Sequence, residues 1–355
     1  MHYNFAGLLG DPATAESQED VPGGRVSESG IPVVLMGLGE IGQAIGRAVL
    51  ARDGLDLVAA VDPHPSVAGR PLAEVLGAPC PDVRVEADLA KALAAAVGGG
   101  VVLHATGSRF EDVLPEIEPA VRAGLHVVST CEELANPRLD NEEAAERLDQ
   151  LCEEHGVAVV GTGVNPGFVL DRLPALLAQA TGEVRHVRGV RVVDVSRRRG
   201  ALQRKVGVGL TEEEFQAAYD REEVGHVGLV HSAALVAESC IGVDEYEVDE
   251  EVVPLLAEED ASGPLAVAKG RVAGLQQIAR VFAEDREIVR LELTISVGAE
   301  DPRDELELDA DPPIRLVIRG GIAGDAATAN AVVNAIPAVV ERHGLLTVLD
   351  LPVGR

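Results

Sequence analysis

Aromatic residues are scarce in this chain, and tryptophan is absent. Phenylalanine, tyrosine and tryptophan together make up 2% of the 355 residues, whereas hydrophobic residues as a whole make up 46%. A β-sandwich with an aromatic-rich core is therefore disfavoured, and layers of helix and sheet built from alanine, valine, leucine and isoleucine are favoured. The length is too great for one ordinary domain and suits two.

Basic residues, cysteine pairs and long apolar runs are also scarce. The 59 acidic residues outnumber the 30 basic ones, and the net charge of −29 argues against nucleic acid or an anionic membrane as a partner. The four cysteines form no CxxC pair, so we expect neither a metal site nor a disulfide framework, and a reducing, cytoplasmic compartment is favoured. No apolar run is long enough to span a membrane.

The N-terminal part predicts a dinucleotide-binding domain. Residues 1–29 are rich in glycine, proline, serine and acidic residues, lack the pattern of a signal peptide, and are expected to be a mobile tail. Short apolar runs then predict parallel strands at Ile31–Gly37, Leu55–Asp62, Val101–Thr106, His126–Thr130 and Val157–Gly161. Helical spacing predicts helices at Ile41–Arg52, Asp88–Gly100, Phe110–Ala123 and Asn141–His155. This α/β alternation is typical of a Rossmann-type, doubly wound parallel sheet, which we place over residues 30–165.

The pattern changes after residue 165. Helices are predicted at Phe168–Gln179, Thr211–Tyr219 and Val227–Cys240. Strands are predicted at Val184–Val195, Glu245–Leu256, Leu265–Phe282, Glu287–Val297, Glu305–Leu308 and Ile314–Ile318. We expect residues 166–325 to form an α+β substrate and dimerisation domain with a mixed or antiparallel sheet. Residues 326–355 are expected to form a C-terminal helix and tail that pack back on the first domain, with a kink or an early end at Pro337.

A glycine motif marks the expected dinucleotide site. The run Gly37-Leu38-Gly39-Glu40-Ile41-Gly42 follows a predicted strand and opens a predicted helix. In this motif the first glycine makes the tight turn, the second admits the pyrophosphate and the third lets helix and strand pack closely. The free N–H groups of the helix N-terminus then face the phosphates.

Two further segments refine the cofactor prediction. Asp62 lies twenty residues after Gly42, where a carboxylate accepts hydrogen bonds from the adenosine ribose and favours NAD over NADP. Alternatively, Asp62 only caps the following proline-rich turn, and Arg70 keeps NADP possible. Thr106 and Gly107 are small enough for the nicotinamide ribose to lie against their backbone, although they also suit an ordinary strand-to-helix turn.

The catalytic candidates follow the later strands of the predicted sheet. Because side chains alternate in an extended segment, one of Glu132 and Glu133 is expected to face the cleft, where burial raises a carboxyl pKa. Alternatively, both are solvated loop acids, which is the usual fate of glutamate in so acidic a chain. Asn165 either binds the carboxamide or the substrate, or closes an Asx turn. His226 is either a proton relay or a structural histidine.

The substrate pocket has further candidates. Thr162, Pro166 and Phe168 belong to a glycine-rich loop and, with His226, are expected to line the pocket. The basic cluster Arg197–Lys205 either binds a substrate carboxylate or a cofactor phosphate, or is a solvated face, and we favour the solvated face.

Several motifs resemble one enzyme family. Glu132-Glu133-Leu134, the loop Gly161-Thr162-Gly163-Val164-Asn165-Pro166-Gly167-Phe168 and the closing segment Leu345–Pro352 are similar to 2,4-diaminopentanoate dehydrogenase and the native amine dehydrogenases. The resemblance implies a fold related to dihydrodipicolinate reductase and a homodimer with its active site between domains. It also implies NAD(P)-dependent, reversible oxidative deamination of an amine or diamino acid, or reductive amination of a ketone or aldehyde with ammonia. The family's catalytic glutamate matches Glu132, with Glu133 in reserve.

Two other functions remain open at this point. A cyclic-imine reductase of the dihydrodipicolinate reductase type needs the same cleft but no free ammonia. That enzyme itself is disfavoured, since its histidine-rich motif followed by a lysine has no match here. A non-enzymatic redox sensor would bind NAD without depending on Glu132.

Overall fold

The computed structural model describes residues 30–96, 98–196, 198–261 and 265–354. The prediction of a mobile tail over residues 1–29 lies outside the described residues. Two sheets organise the described chain, and the fold-class prediction of a parallel sheet followed by a second, mixed sheet is confirmed. No helix in these ranges combines the length and apolar character needed to cross a membrane.

The first sheet is parallel and has seven strands. Numbered in chain order, they are β1 (Ile31–Met36), β2 (Leu55–Val61), β3 (Val85–Glu86), β4 (Val101–His104), β5 (His126–Ser129), β6 (Ala158–Gly161) and β13 (Gly344–Leu346). Their order across the sheet is β13-β6-β5-β4-β1-β2-β3, and every neighbouring pair is parallel. The chain order reverses direction beside β1, which is where ligands bind in open α/β sheets.

Helices cover both faces of this sheet. They are α1 (Glu40–Leu50), α2 (Leu72–Leu76), α3 (Leu89–Ala94), α4 (Phe110–Arg122), α5 (Arg138–His155) and α10 (Gly324–Val339). Ile45 of α1 and Ile336 of α10 are buried in the core on one face, and Ile117 of α4 and Leu148 of α5 in the core on the other. Burial on both faces explains why the strands read as continuous aliphatic runs rather than as alternating patterns.

The second sheet is mixed and has six strands. They are β7 (Val184–Asp194), β8 (Glu247–Leu256), β9 (Val272–Ala283), β10 (Arg286–Ser296), β11 (Arg303–Ala310) and β12 (Ile314–Arg319), in the order β12-β11-β7-β10-β9-β8. The β7–β10 pair is parallel and the others are antiparallel. Its helices are α6 (Arg172–Ala178), α7 (Gly200–Lys205), α8 (Glu212–Asp220) and α9 (Gly228–Val236). Phe215 of α8 and Leu229 of α9 are buried against its aliphatic face.

Some predicted elements differ from the observed ones. The predicted strand Leu265–Phe282 begins only at Val272, because a turn with Gly270 at φ 78° precedes it and Gly270 and Arg271 bond to the backbone of Ala257. The predicted helix Phe168–Gln179 begins at Arg172, because Asp171 caps it there. The predicted helix Asp88–Gly100 ends at Ala94, and α10 ends at Val339, shortly after Pro337.

Other elements were not predicted at all. These are α2, α7, β3 and β13, of which β13 pairs with β6 at the edge of the first sheet. Each has six residues or fewer, too few to show a clear periodicity. The second half of the predicted helix Val227–Cys240 continues past α9 as a π-helical turn over Ala237–Ile241.

Candidate active site

A cavity of about 250 Å³ lies between the two sheets. The loops that follow β4, β5 and β6 line one side, contributing residues 105–108, 130–132 and 162–166. The second sheet, α7 and the start of α10 line the other, with Arg191, Leu293, Lys205 and Thr328 among them. The cavity therefore brings both halves of the chain to the carboxyl ends of the parallel strands.

The three motif glycines have different surroundings. A Cβ at Gly42 would lie 1.8 Å from the Gly37 carbonyl oxygen, and one at Gly37, whose φ is 84°, would lie 2.6 Å from the Ala105 oxygen. A Cβ at Gly39 would meet no described atom within 4 Å. Gly39 is the N-cap of α1 and makes no side-chain cap, so the first N–H groups of the helix face open space. The arrangement leaves room for an anion at the helix N-terminus.

Asp62 holds the glycine loop and its own turn together. Its Oδ2 accepts a hydrogen bond from Leu38 N at 2.7 Å, and its Oδ1 accepts one from His64 N at 2.8 Å. The capping role is therefore present, but a carboxylate has about four acceptor positions, which leaves capacity for ribose hydroxyls. Of the remaining motif residues, Glu40 is exposed in the first turn of α1 and Ile41 lines the cavity.

The loop after β4 forms one wall of the cavity. Thr106, Gly107 and Ser108 all line it. A Cβ at Gly107 would approach Val113 Cγ1 to 2.9 Å, so only glycine lets this loop lie against α4 without displacing that side chain. Ser108 Oγ donates a hydrogen bond to Glu132 Oε1 at 3.2 Å. The loop thus reaches from the expected nicotinamide position to the candidate catalytic carboxylate.

Glu132 is the carboxylate that faces the cavity. Its Oε1 accepts a hydrogen bond from Lys205 Nζ, and its Oε2 lies 2.9 Å from His226 Nδ1 and 3.3 Å from Gly228 N. The side chain is 13% exposed. Burial acts to raise its pKa, but the facing His226 and Lys205 outweigh burial and hold the pKa of Glu132 well below its ordinary range. The expectation of a raised pKa is therefore wrong for this side chain.

Glu133 turns away from the cavity. Its Oε2 accepts a hydrogen bond from Phe110 N at 2.6 Å, and its Oε1 lies 3.6 Å from Arg109 Nη1. It therefore satisfies the N-terminus of α4. The two acids diverge for a different reason from the one expected, because Glu132 has helical φ and ψ and Glu133 opens a 3-10 turn over Glu133–Ala135.

A buried aspartate shapes the loop after β6. Asp171 accepts hydrogen bonds from Gly167 N and Arg172 N at 2.6 Å and from Ser232 Oγ at 2.9 Å. Gly167 has φ 120°, and a Cβ there would lie 2.2 Å from Gly163 N. Burial raises the pKa of Asp171, although these three bonds act in the opposite direction. We did not predict a role for Asp171, because the predicted helix Phe168–Gln179 included it; an aspartate is a preferred N-cap residue, which is the signal that could have revealed it.

This loop places one unpaired amide beside the cavity. Asn165 Oδ1 and Nδ2 are both inaccessible to solvent and have no hydrogen-bond partner within the described part of the chain. The Asx-turn alternative is therefore wrong. Thr162 and Pro166 also line the cavity. Phe168 does not, which corrects its placement in the substrate pocket: it is 37% exposed and lines a second cavity beside Arg172.

Three residues of the basic cluster face the cavity, whereas Arg204 is exposed as expected of a solvated face. Lys205 lies in α7 and reaches Glu132, while Arg198 and Arg199 approach the same Asp325 Oδ1 at 3.1 and 3.0 Å. All three line the cavity, so the favoured interpretation of a solvated face is wrong for them. Arg197 lies outside the described residues.

The charges in this wall do not balance. Arg198 and Arg199 share one carboxylate, and Arg198 Nε is buried without a hydrogen-bond partner among the residues that the structure describes. The neighbouring Arg191 is buried and paired with Asp304 at 2.5 Å. The wall therefore carries an excess of positive charge in a chain whose net charge is −29.

His226 is fixed by a glutamine that the sequence did not single out. Gln277 is 1% exposed; its Oε1 accepts from His226 N at 2.8 Å and its Nε2 donates to His226 O at 2.9 Å. The same Nε2 donates to Glu250 Oε1 at 2.7 Å. A glutamine in the middle of a predicted strand gives no sequence signal for this clamp, because its partner lies 51 residues away.

Comparison with known proteins identifies the relatives of this chain. Residues 168–355 match the model of the 2,4-diaminopentanoate dehydrogenase C-terminal domain family. The whole chain is 28% identical over 337 residues to 2,4-diaminopentanoate dehydrogenase of Acetoanaerobium sticklandii, covering 92% of this chain and 94% of that protein. An amine dehydrogenase of Streptomyces virginiae is 33% identical over 172 residues, which is 47% of each chain.

The fold likeness extends to a solved structure. The structure of amine dehydrogenase from Mycobacterium smegmatis matches with a TM-score of 0.81 at 24% identity, covering 92% of this chain and 98% of that one. This match shows the shared fold. The predicted family resemblance is confirmed by the family model and by the sequence relatives.

Proposed function

Because the chain belongs to the 2,4-diaminopentanoate dehydrogenase C-terminal domain family, we propose that it is an NAD-dependent amine dehydrogenase. It oxidises the CH–NH2 group of a small-molecule amine and, in reverse, aminates the matching ketone or aldehyde with ammonia. The observation that carries the proposal is the largely buried carboxylate of Glu132, which faces the cavity between Lys205 and His226.

The residues present fit a nicotinamide dinucleotide. The open space at Gly39 and the uncapped N-terminus of α1 suit the pyrophosphate, and Asp62 retains acceptor capacity for the adenosine ribose. Thr106 and Gly107 would carry the nicotinamide ribose, and the unpaired amide of Asn165 would meet the carboxamide or the substrate. When bound, NAD supplies the hydride acceptor of the reaction.

Glu132 binds and deprotonates the substrate amine in this proposal. Its lowered pKa keeps it ionised at neutral pH, so it attracts the substrate ammonium in place of the Lys205 ammonium. Glu132 then takes one proton from the substrate ammonium, leaving the neutral amine from which hydride can depart. Once the substrate amine is neutral and Lys205 is displaced, one of the two groups that lower the pKa is gone, and Glu132 holds the transferred proton more readily.

The same carboxylate serves the second half of the reaction. Loss of hydride leaves an iminium cation, which the Glu132 carboxylate stabilises electrostatically in the buried cavity. Water then adds to the iminium carbon and gives up a proton, and ammonia leaves as the carbonyl forms. Gln277 holds the backbone of His226, and the His226 Nδ1, 2.9 Å from Oε2, is placed to exchange that proton with Glu132.

The excess positive charge favours a substrate that carries an acid group. Arg198 and Arg199 share Asp325, and the buried, unpaired Nε of Arg198 offers a donor for a second carboxylate. We therefore propose an amino acid with its reacting amine at Glu132 and its carboxylate at this wall. Leaving the arginine pair uncompensated beside an apolar substrate would cost free energy.

We further propose that the chain pairs with a second copy through the second sheet. The face of that sheet opposite the helices carries rows of half-buried ion pairs, including Arg188 with Glu292 and Arg280 with Asp249, both at 2.9 Å. Rows of alternating charge are self-complementary across a twofold axis, which favours a homodimer. The four free cysteines suit a reducing, cytoplasmic location. Sedimentation at several concentrations would show the mass of two chains.

A substrate panel tests the proposed reaction. Purified protein is incubated with NAD or NADP and a panel of amines, with and without a carboxylate, and formation of the reduced cofactor is followed. In the reverse direction, ketones with ammonia are compared with preformed cyclic imines without it. Amine-dependent NAD reduction and ammonia-dependent NADH oxidation support the proposal. Turnover of cyclic imines alone would instead support an imine reductase, and cofactor binding without any turnover would support a sensor.

A further inference from the structure

A buried histidine joins two loops of the cavity. His104, the last residue of β4, is fully buried in a strand whose other residues are aliphatic. Its Nδ1 lies 2.8 Å from Ser129 Oγ at the end of β5. Its Nε2 lies 2.7 Å from Thr106 Oγ1 and 3.0 Å from Glu116 Oε2 on α4. Burying an imidazole here is costly unless both nitrogens are satisfied, and both are.

The direction of these hydrogen bonds follows from their partners. Cys131 N can only donate, and it donates to Ser129 Oγ at 3.0 Å. The ionised Glu116 carboxylate can only accept, so the imidazole hydrogen is assigned to Nε2, and the Ser129 hydroxyl donates to His104 Nδ1. The Thr106 hydroxyl donates to the same carboxylate at 2.5 Å. In this chain of hydrogen bonds, every donor therefore has an acceptor and every acceptor a donor.

The two ends of this chain of hydrogen bonds contact different parts of the candidate active site. One end is the backbone of Cys131, the residue immediately before Glu132. The other end is Thr106, which lines the cavity in the loop that we assign to the nicotinamide ribose. Because the chain ends on a backbone N–H and not on the Glu132 carboxylate, it cannot carry protons to that carboxylate. Its effect must be on position.

We propose that His104 is a positioning residue, which fixes the separation of the Thr106 loop from Glu132 through Ser129 and Glu116. The inference rests on the proposed function, since it takes Glu132 as the catalytic carboxylate. A misplacement of about 1 Å between reacting groups can cost about a hundredfold in rate. Glu116 accepts hydrogen bonds from both His104 and Thr106, and the one from His104 is the main reason that the pKa of Glu116 is lowered.

Two substitutions of His104 separate the two ends. The amide of glutamine reaches the position of Nε2, so H104Q keeps the link to Thr106 and Glu116 and loses Ser129. The amide of asparagine reaches only the position of Nδ1, so H104N keeps Ser129 and loses the other link. We expect H104Q to lower kcat about tenfold with little change in the Kd for NAD. We expect H104N to raise the Kd for NAD about tenfold with little change in kcat at saturating NAD.

The neighbouring strand offers a matched control. His126 is also buried in the same sheet, but at the start of β5, and its Nδ1 accepts a hydrogen bond from Ala158 N at 3.0 Å. H126Q removes a buried histidine hydrogen bond at the end of the sheet away from the cavity. We expect it to lower thermal stability while leaving kcat and the Kd for NAD unchanged. Any effect of H104Q that H126Q shares is therefore a general loss of stability.

A second pair of variants covers the case in which His104 cannot be replaced. S129A and E116L cut the same two links while leaving His104 and the cavity-lining Thr106 in place. We expect S129A to follow H104Q and E116L to follow H104N in the split between kcat and Kd. If instead both members of a pair lower kcat and cofactor affinity together, or if neither differs from H126Q, the positioning role is overturned.

One readout does not depend on the enzymatic reaction. Hydrogen exchange at the Cys131 amide should accelerate in S129A, which removes its acceptor, and in H104Q, which removes the ring nitrogen that holds the Ser129 hydroxyl in place, but not in H104N, which keeps that link. Titration with NAD measures the change in Kd that is expected of H104N, and it needs no substrate. Absence of amine oxidation in the wild-type protein would therefore count against the proposed function alone. Unchanged Cys131 exchange in H104Q would count against the His104 proposal alone.

Discussion

Two glycine-to-alanine substitutions in the glycine motif, each adding one methyl group, should separate an effect on stability from an effect on cofactor binding. In Gly42→Ala the new Cβ lies 1.8 Å from the Gly37 carbonyl oxygen, so the backbone of the helix and strand must move apart. Overpacking of this kind costs about 1–3 kcal/mol of the free energy of unfolding. In Gly39→Ala the new Cβ meets no described atom within 4 Å, and the φ of −65° suits alanine.

The Gly39→Ala change should leave stability almost unaltered. Replacing glycine by alanine stabilises by about 0.4–1 kcal/mol through the unfolded state, while alanine is a poorer N-cap by a similar amount. The methyl group instead occupies the space where the pyrophosphate approaches α1. Losing one charge-assisted hydrogen bond to a phosphate costs about 1.5–3 kcal/mol, which raises the Kd for NAD about 10- to 150-fold.

Thermal unfolding and NADH fluorescence titration check the two changes side by side. Gly42→Ala should lower the melting temperature, whereas Gly39→Ala should keep it and lose cofactor affinity. If Gly39→Ala binds NADH as tightly as the wild-type protein, the pyrophosphate does not sit at the N-terminus of α1, and our placement of the cofactor is refuted.

Three further perturbations have expected outcomes. Lys205→Met removes one of the two groups that lower the pKa of Glu132, so this pKa should rise and the acidic limb of the pH–kcat/KM profile should move to higher pH. If the limb does not move, it does not report the ionisation of Glu132. Arg198→Gln should raise the KM of an amine that carries a carboxylate at least about tenfold, because that substrate loses a charge-assisted bond, and should leave the KM of an amine without a carboxylate unchanged. Equal effects on both substrates would argue against the acid-binding wall. Asp171→Ala leaves two backbone N–H groups and the Ser232 hydroxyl without their acceptor. It should lower the free energy of unfolding, measured by denaturant titration, by about 2–4 kcal/mol. A change under about 0.5 kcal/mol would show that these bonds contribute little.

The parts of the fold that were predictable depend on local signals. The strands β1, β2, β4, β5 and β6 read as short aliphatic runs, because each is buried on both faces of the sheet. The glycine motif was recognisable because its spacing is local: Gly42 lies directly against the Gly37 carbonyl, and Gly39 leaves the helix N-terminus between them open. The capping box at Thr211 and Glu214 forms as expected, since both partners lie in the same helix turn.

The parts that were not predictable depend on contacts between distant residues. The pKa of Glu132 was expected to rise from burial, but it is lowered partly by Lys205, which lies 73 residues away in sequence. The basic cluster was expected to be solvated because its acidic partner, Asp325, lies 126 residues from Arg199. Phe168 was placed in the pocket from its neighbours in sequence, whereas the turn at Gly167 directs it to the other side of the loop.

The divergence of the two acids shows how a correct outcome can have another cause. An extended segment would separate Glu132 from Glu133 by alternation, but the chain turns helical at Glu132 instead. What directs Glu133 away is the free N–H of Phe110 at the start of α4. The cap that Glu133 provides for α4 decides which carboxylate remains in the cavity, and no sequence pattern around Glu133 predicts that cap.

The central claim is that Glu132, and not its neighbour, performs the proton transfers of amine oxidation. The most direct test compares Glu132→Gln with Glu133→Gln, two identical chemical changes at adjacent positions, by measuring kcat/KM at saturating NAD for the best amine of the substrate panel. Loss of a catalytic carboxylate should lower kcat/KM of Glu132→Gln by about 10²–10⁴-fold, with NAD affinity preserved. Glu133→Gln should keep nearly full activity and lose some thermal stability, because it weakens the cap of α4. Equal activity of the two variants, or a greater loss in Glu133→Gln, would contradict the account.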